Sequence, residues 1–377
     1  MKLAFVSNFL NHHQFPLCER LRQLCDEFYF IATEIDGSQG YQTAIKADFM
    51  IPYIGVTQKH VKEIILAADA VIFGACPNEL IALRMKENKL SFLYSERFYK
   101  KGVWRRWIPR TARSVKERIT QYSDKNIYVL CASGYLPYDL SLYGFSIDKC
   151  LKWGYFPEFI SETAETTEKA KNSILWAGRM LDWKHPEIAV LTAEWLKKQG
   201  CSFVMNIAGD GIEFDRLRTM IEKKRLQDCV HLLGSQTHHD LMKLMESHSI
   251  FMFTSDFREG WGAVLNEAMG NGCAVVASHA IGSVPFLIDN RENGMVFKNG
   301  NIDGAYRTVR YLIDNPDEVK RFGTNAKNTI IEKWNYKTAA ERLVQTIHCL
   351  INKGELNIFK NGPCSKPAVL KNNWFKG

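Results

Sequence analysis

Short runs of consecutive apolar residues alternate along this chain with longer stretches in which apolar residues recur every three or four positions. The first kind predicts buried strands and the second amphipathic helices. Residues 3–6, 28–32, 70–74, 90–94, 126–131 and 150–153 read as strands, and 16–25, 61–68 and 79–87 as helices. In 16–25, for example, Leu17, Leu21 and Leu24 share one helical face. Strand–helix alternation implies a mostly parallel sheet covered on both faces.

The rhythm stops over residues 158–172, where Glu162, Glu165, Glu168, Lys169 and Lys171 stand among threonines with little apolar content. Such a stretch predicts an interdomain linker. The alternation then restarts, with strands at 173–177, 202–208, 230–233, 250–254 and 274–277. Helical spacing fills 186–199, 213–224, 240–247, 263–269, 305–314 and 317–329, and a long amphipathic helix spans 336–352. Residues 354–377 are polar with scattered aromatics and carry no assignable pattern. The expectation is an α/β chain of two Rossmann-like, doubly wound domains, 1–157 and 173–335, joined by 158–172 and followed by a helix and tail, 336–377. Sheets of this kind bind ligands outside the carboxyl ends of their strands.

A chain of 377 residues is long enough for two such domains, each with its own core. Hydrophobic residues at 46% and charged residues at 24% suit a soluble globular protein. No run of about 20 apolar residues spans a membrane, and residues 1–8 read as a first strand rather than a secretory signal. Ten cysteines, none in a C-x-x-C pair, point to reduced, buried thiols in a cytoplasmic protein.

The net charge of +8 is local. Residues 97–118 hold nine Lys and Arg against one acid, Glu117, and the rest of the chain balances to zero. Basicity confined to one segment marks a patch, not a general property.

The most specific chemistry lies in residues 255–278, SDFREGWGAVLNEAMGNGCAVVAS. Glu259 falls in a loop after a strand; Gly260, Trp261 and Gly262 follow, and then a helix that carries Glu267. Glycines let a backbone approach a ligand closely. The N–H groups at a helix start, here Ala263 and Val264, favour a phosphate. A carboxylate one turn further in can reach ribose hydroxyls. Two glutamates eight apart can also be plain solvated side chains, and Gly-x-Gly a plain turn. The apolar neighbours Val264, Leu265, Ala268 and Met269 around Glu267 favour the site.

Together with Gly178-Arg179 and Lys184 after the first strand of the second domain, Gly209-Asp210-Gly211 after the next, and Gly234 further on, this segment resembles the Glu-x7-Glu signature of retaining glycosyltransferases of family 4. The resemblance covers about residues 174–297. Less specifically, Asn11-His12-His13-Gln14 followed by Pro16-Leu17-Cys18-Glu19 resembles transferases of bacterial surface-polysaccharide clusters, although the glycine-rich first loop common in the family is missing.

The resemblance implies a GT-B fold, two Rossmann-like domains facing across a cleft, with a nucleotide diphosphate sugar as donor and a glycan or lipid-linked acceptor. UDP-sugar is favoured on frequency alone. Arg179 and Lys184 are then expected to hold the diphosphate, whose growing charge needs cations. Glu259 is expected on the donor sugar, the backbone of 260–264 on sugar or phosphate, and Glu267 on the ribose. Gly178, Gly209 and Gly211 would admit the nucleotide. No Asp-x-Asp motif is present, so no metal and no cofactor is expected. Residues 336–352 are expected to cross back to the N-terminal domain, as in the family.

Acceptor-side candidates are His12 and His13 in the first loop and Glu96 at the end of a strand. Each can equally be structural: a hydrogen-bonded histidine, or a glutamate paired with Arg97 or a neighbouring base. The basic segment interleaves arginines with Trp104, Trp107, Ile108, Ala112, Val115 and Ile119, and Pro109 must break or restart its helix. Trp104, Arg105, Arg106, Trp107, Arg110 and Arg113 suit an anionic membrane surface; nucleic acid and a merely solvated face are the alternatives, and no nucleic acid is expected. The resulting localisation is cytoplasmic, peripheral on the membrane.

Rival activities are a nucleotide-sugar epimerase on a similar fold and a non-catalytic sugar- or lipid-binding relative. A dinucleotide oxidoreductase is disfavoured because no G-x-G-x-x-G follows the first strand.

Overall fold

The computed structural model describes residues 1–34, 45–158, 169–354, 356 and 359–376. The chain divides into two compact units, Met1–Glu158 with Trp334–Lys371, and Phe159–Lys333 with Asn372–Gly377.

The first unit runs β1 (Lys2–Ser7), α1 (Phe15–Leu24), β2 (Glu27–Ala32), β3 (Met50–Pro52), α2 (Thr57–Ala67), β4 (Ala70–Phe73), α3 (Asn78–Lys86), β5 (Ser91–Ser95), α4 (Pro109–Arg118), β6 (Ile127–Cys131), α5 (Leu136–Ser141) and β7 (Cys150–Lys152). Its seven parallel strands are ordered β3-β2-β1-β4-β5-β6-β7. Leu3, Ala4, Phe5 and Val6 are buried because β1 lies inside the sheet, with Val6 opposite Ile31 on one side and Phe73 on the other. Sheet growth reverses direction at β1, so the loops after β1 and β4 diverge there and open a crevice. The buried guanidinium of Arg84 donates to the carbonyls of Ala68 (2.9 Å), Leu90 (2.9 Å) and Asp69 (3.1 Å), tying the starts of β4 and β5 to α3.

The second unit runs β8 (Ala170–Ala177), α6 (Pro186–Lys198), β9 (Val204–Ala208), α7 (Phe214–Lys223), β10 (Val230–Gly234), α8 (His238–Ser247), β11 (His248–Phe253), α9 (Val264–Gly270), β12 (Ala274–Ser278), α10 (Val284–Leu287), β13 (Met295–Phe297), α11 (Ile302–Asp314) and α12 (Pro316–Glu332). Its six parallel strands are ordered β10-β9-β8-β11-β12-β13, with the reversal between β8 and β11. β11 is buried throughout, since α8 and α12 pack near it and β8 and β12 flank it.

The last helix, α13 (Tyr336–Ile351), belongs to the first unit and packs on α1. Ala339, Ala340, Leu343, Thr346 and Ile347 form its buried face, and Arg20 of α1 pairs with Glu341.

Several expectations are corrected. β8 begins at Ala170, so its first residues overlap the predicted linker of 158–172; 159–168 lie outside the described residues. Ala170 and Lys171 are exposed and have no apolar pattern, yet the register with β11 opposes Ala170 to His248. β3, α5, α10 and β13 are too short to show a period and were not predicted. The patternless tail is tied down by backbone bonds: Cys364 N–H donates to Lys152 O and Lys152 N–H to Ser365 O, both 2.8 Å, beside β7. Farther on, Asn372 O accepts from His279 Nε2 at 2.9 Å, and Trp374 and Phe375 pack near that ring. All ten cysteines are free thiols. Among the described residues no helix is long and apolar enough to cross a membrane.

Candidate functional site

The loop after β8 is laced to the loop after β9. Gly178 N–H donates to Ala208 O (3.1 Å) and Met180 N–H to Asp210 O (2.8 Å). The approach is so close that a Cβ on Gly209, where φ is +133°, would lie 1.9 Å from Gly178 O. The glycine requirement at 209 is thus set by protein backbone, not by a nucleotide alone. Gly211 N–H is held by Asp210 Oδ1 at 2.7 Å.

A 3-10 turn, Asp182–Lys184, leads into α6. Lys184 points its ammonium onto Glu259 Oε2, and the two side chains are only 12% and 10% exposed. Ser255 Oγ donates to the same Oε2 at 2.9 Å. Among the described residues Glu259 Oε1 receives no hydrogen bond, so one carboxylate oxygen is left for a ligand. Behind the pair, Lys184 O accepts from Thr254 Oγ1 (2.7 Å), which accepts from the buried Trp176 Nε1 (2.8 Å). This chain fixes the loop after β8 against the end of β11. Arg179 is exposed at the same strand end.

His185 follows with φ +51° and ψ 49°, a left-handed conformation that is uncommon for a side-chain-bearing residue. Its ring is clamped by two carboxylates, Nδ1 2.9 Å from Glu187 and Nε2 3.6 Å from Asp256. Asp256 and then Glu187 push the imidazole up to about 9, so it is protonated at neutral pH. Burial works against ionisation of Asp256, but His185 and Arg258 hold its carboxyl below the ordinary value. Arg258 continues the network to Asp182 at 2.8 Å.

Glu267 lies nearly buried in α9, with its Oε1 3.4 Å from Nε2 of His238, the first residue of α8. That carboxylate raises the His238 pKa. α9 starts at Val264, is seven residues long and has no side-chain cap. Gly262, at φ +84°, sits against the Phe253 ring where a Cβ would be 2.6 Å away.

The Trp261 side chain is fully buried, and its Nε1 donates to Asn266 Oδ1 at 2.8 Å. Only its backbone remains a candidate. Gly260 is also buried, whereas Ala263 and Val264 are half-exposed.

In the first unit, the crevice beside β1 is a pocket of about 410 Å³. Its walls include Asn8, His13, Gln14, Glu96, Lys100 and Arg118. Glu96 accepts from Tyr155 OH at 2.7 Å and pairs with Lys100. Arg97 turns inward to Asp139 at 3.1 Å, both side chains fully buried. His13 lines the pocket, while His12 is outside its wall and tilts over His13 with ring centroids 3.8 Å apart.

The basic segment is not one amphipathic helix. A 3-10 turn, Val103–Trp107, precedes α4, which restarts at Pro109, a residue with no N–H to give to a continuous helix. Val115 and Ile119 enter the core, whereas Trp104 and Trp107 are 61% and 75% exposed. Arg105 lies near the Trp104 ring and Arg106 lies over Trp107 at 4.5 Å. Arg110 and Arg113 are exposed on α4.

His185, His238, Thr254 and Tyr155 were not singled out from the sequence. Only His185 had a signal, its place between Lys184 and a helix-starting proline; the others are single polar residues, at the start of α8 and just beyond β11 and β7, brought in from distant parts of the chain. Among the described residues no three His, Cys, Asp or Glu side chains gather to hold a metal ion.

Residues 160–329 match the family described as Glycosyl transferases group 1. The chain is 26% identical over 275 residues to an uncharacterized glycosyltransferase of Methanocaldococcus jannaschii, covering 71% of this chain and 64% of that protein. It is 31% identical over 177 residues to a poly(ribitol-phosphate) alpha-N-acetylglucosaminyltransferase of Staphylococcus aureus, covering 47% of this chain and 34% of that one. The chain thus spans less than two thirds of the length of these curated relatives. Among solved structures, Anabaena HepE in complex with UDP superposes with a TM-score of 0.69 at 14% identity, covering 92% of this chain and all of that one. Residues 160–329 are therefore a glycosyl transferases group 1 domain, in a chain whose two Rossmann-like units have the GT-B fold.

Proposed function

We propose that this protein is a retaining glycosyltransferase that moves a sugar from a nucleotide diphosphate sugar to a glycan or lipid-linked saccharide in bacterial surface-polysaccharide synthesis. The observation that carries the reading is the Lys184–Glu259 pair at the strand ends where the second sheet reverses. An ammonium held there is placed to meet the charge that grows on a departing diphosphate. Glu259 keeps one oxygen for a sugar hydroxyl, and Glu267 takes the ribose. Arg179 adds the second cation, so the proposal assigns no metal.

In this reading the bond from the anomeric carbon to the phosphate oxygen breaks and the acceptor oxygen bonds to the same face. The acceptor proton passes to the leaving phosphate, so no strong enzymic base is required. The pocket of the first unit receives the acceptor, with Glu96 and His13 orienting it. UDP is the favoured nucleotide, supported by the bound UDP of the HepE structure. The poly(ribitol-phosphate) relative supports a surface-polymer acceptor. Exposed Trp104 and Trp107 beside Arg110 and Arg113 support docking on an anionic membrane.

A thermal-shift screen of UDP, GDP and ADP with their sugars tests the donor, because a ligand that binds only the native state raises its melting point. A shift with UDP compounds is expected. No shift with any nucleotide overturns the reading. The anomeric configuration of the product, read by NMR, tests retention.

A further inference from the structure

Residues 97–118 carry the whole net charge of the chain, and the fold bends this segment so that both ends reach one pocket. Arg97, Lys100 and Arg118 all line it. Two of these charges are met from within the protein: Arg97 by Asp139 and Lys100 by Glu96. Arg118 differs. Its guanidinium donates to Cys76 O (2.6 Å), to Asn78 Oδ1 (3.1 Å) and to Gly74 O, all neutral oxygens. Among the described residues no carboxylate comes within ion-pair distance of it, and Glu34, which lines the adjoining hollow, stays beyond that reach.

Neutral acceptors satisfy hydrogen-bond geometry but leave the charge uncompensated, and a half-buried charge is costly unless paired. The three oxygens also hold the guanidinium in one direction, which lowers the ordering cost of binding an anion. The pocket lies outside the carboxyl ends of β1, β4 and β5, where such sheets bind ligands. Its volume of about 410 Å³ suits a small polar group.

We propose that this pocket seats a phosphate group of the acceptor, a phosphate ester or diphosphate, on Arg118 with Lys100 beside it. The inference rests on the acceptor reading above and narrows it to phosphate-bearing acceptors. Arginine suits that group because its planar fork matches phosphate oxygens.

Calorimetry on the full chain, saturated with UDP to fill the donor site, tests this with α-glucose 1-phosphate, inorganic phosphate and methyl α-glucoside. Both phosphates are expected to bind, and methyl α-glucoside at least tenfold more weakly than the sugar phosphate. Arg118→Gln should weaken α-glucose 1-phosphate tenfold or more, with part of the affinity kept in Arg118→Lys. Lys100→Gln should weaken it severalfold, and it carries the test if Arg118→Gln does not fold. Equal binding of methyl α-glucoside, or unchanged phosphate binding in both neutral variants, overturns the proposal.

Competition against α-glucose 1-phosphate separates the sources. Undecaprenyl phosphate in phosphatidylcholine vesicles competing indicates a lipid carrier, and soluble poly(glycerol phosphate) a polymer; competition by neither overturns the assignment to an acceptor. Failure of the donor reading looks different. UDP binding would then be unchanged in Lys184→Ala and Glu267→Ala, whatever the phosphates do.

Discussion

The ammonium of Lys184 rests on Glu259 Oε2, joining the loop after β8 to the loop after β11 across 75 positions of sequence. Both side chains are close to fully buried, so neither charge is well served by water. Removing one partner of such a pair leaves the other buried and unpaired. Lys184→Ala and Glu259→Gln are each expected to lower the transfer rate by about 10² or more, the size seen when one charge-stabilising group is lost. The double variant should lose less than the product of the two, because the residues act as a unit. Initial rates with a melting curve for each variant check this. Unchanged transfer in both single variants sinks the site assignment.

His185 makes stability pH-dependent with a definite sign. Its imidazole is raised from 6.5 to about 9 in the folded protein by Asp256 and Glu187. A group raised on folding contributes fully below its unfolded pKa and loses that contribution as pH rises through the folded value. The clamp is thus complete below about pH 6.5 and released toward pH 9. Urea melts across that window should show falling stability in the native protein. His185→Gln should be less stable at pH 6 and flatter with pH; a curve as steep as the native one refutes the clamp.

Glu267 is the proposed ribose ligand, with His238 beside its carboxylate. A hydrogen bond to a charged group is worth about 1.5–3 kcal/mol. Glu267→Ala is therefore expected to weaken UDP and UDP-sugar alike by roughly tenfold or more, since both carry the ribose. Calorimetry with each ligand checks it, and a loss confined to the UDP-sugar would move Glu267 from ribose to sugar.

Trp104 and Trp107 are largely exposed, and Arg110 and Arg113 are exposed on the helix that follows them. Basic residues near an anionic surface contribute about 1 kcal/mol each, screened within a Debye length. Sedimentation with phosphatidylglycerol vesicles should fall sharply in Arg110→Gln/Arg113→Gln and in Trp104→Ser/Trp107→Ser, and in the native protein at high salt. Equal sedimentation of all three proteins excludes this face as the contact.

The alternation of apolar runs with helical spacing was enough to name two parallel doubly wound sheets, because buried strands such as 3–6 and 250–253 have nothing but apolar side chains to show. Lys184 and Glu259 were legible as positions in the loops that follow two of these strands, and Glu267 as a carboxylate among apolar neighbours in the next helix. Short elements escaped, since the three residues of β3 or of β13 cannot display a period. The sequence does not say where the Trp261 ring goes; packing buries it and gives its N–H to Asn266.

Partnership was decided only by the tertiary structure. The sequence by itself determined that nine basic residues crowd into 97–118. It could not say that Arg97 would find Asp139, Lys100 would find Glu96, and Arg118 would meet, among the described residues, only neutral acceptors. Local composition sets how many charges a segment carries. Which are compensated depends on distances between residues far apart in the chain, and those distances exist only once β1, β4 and β5 lie side by side.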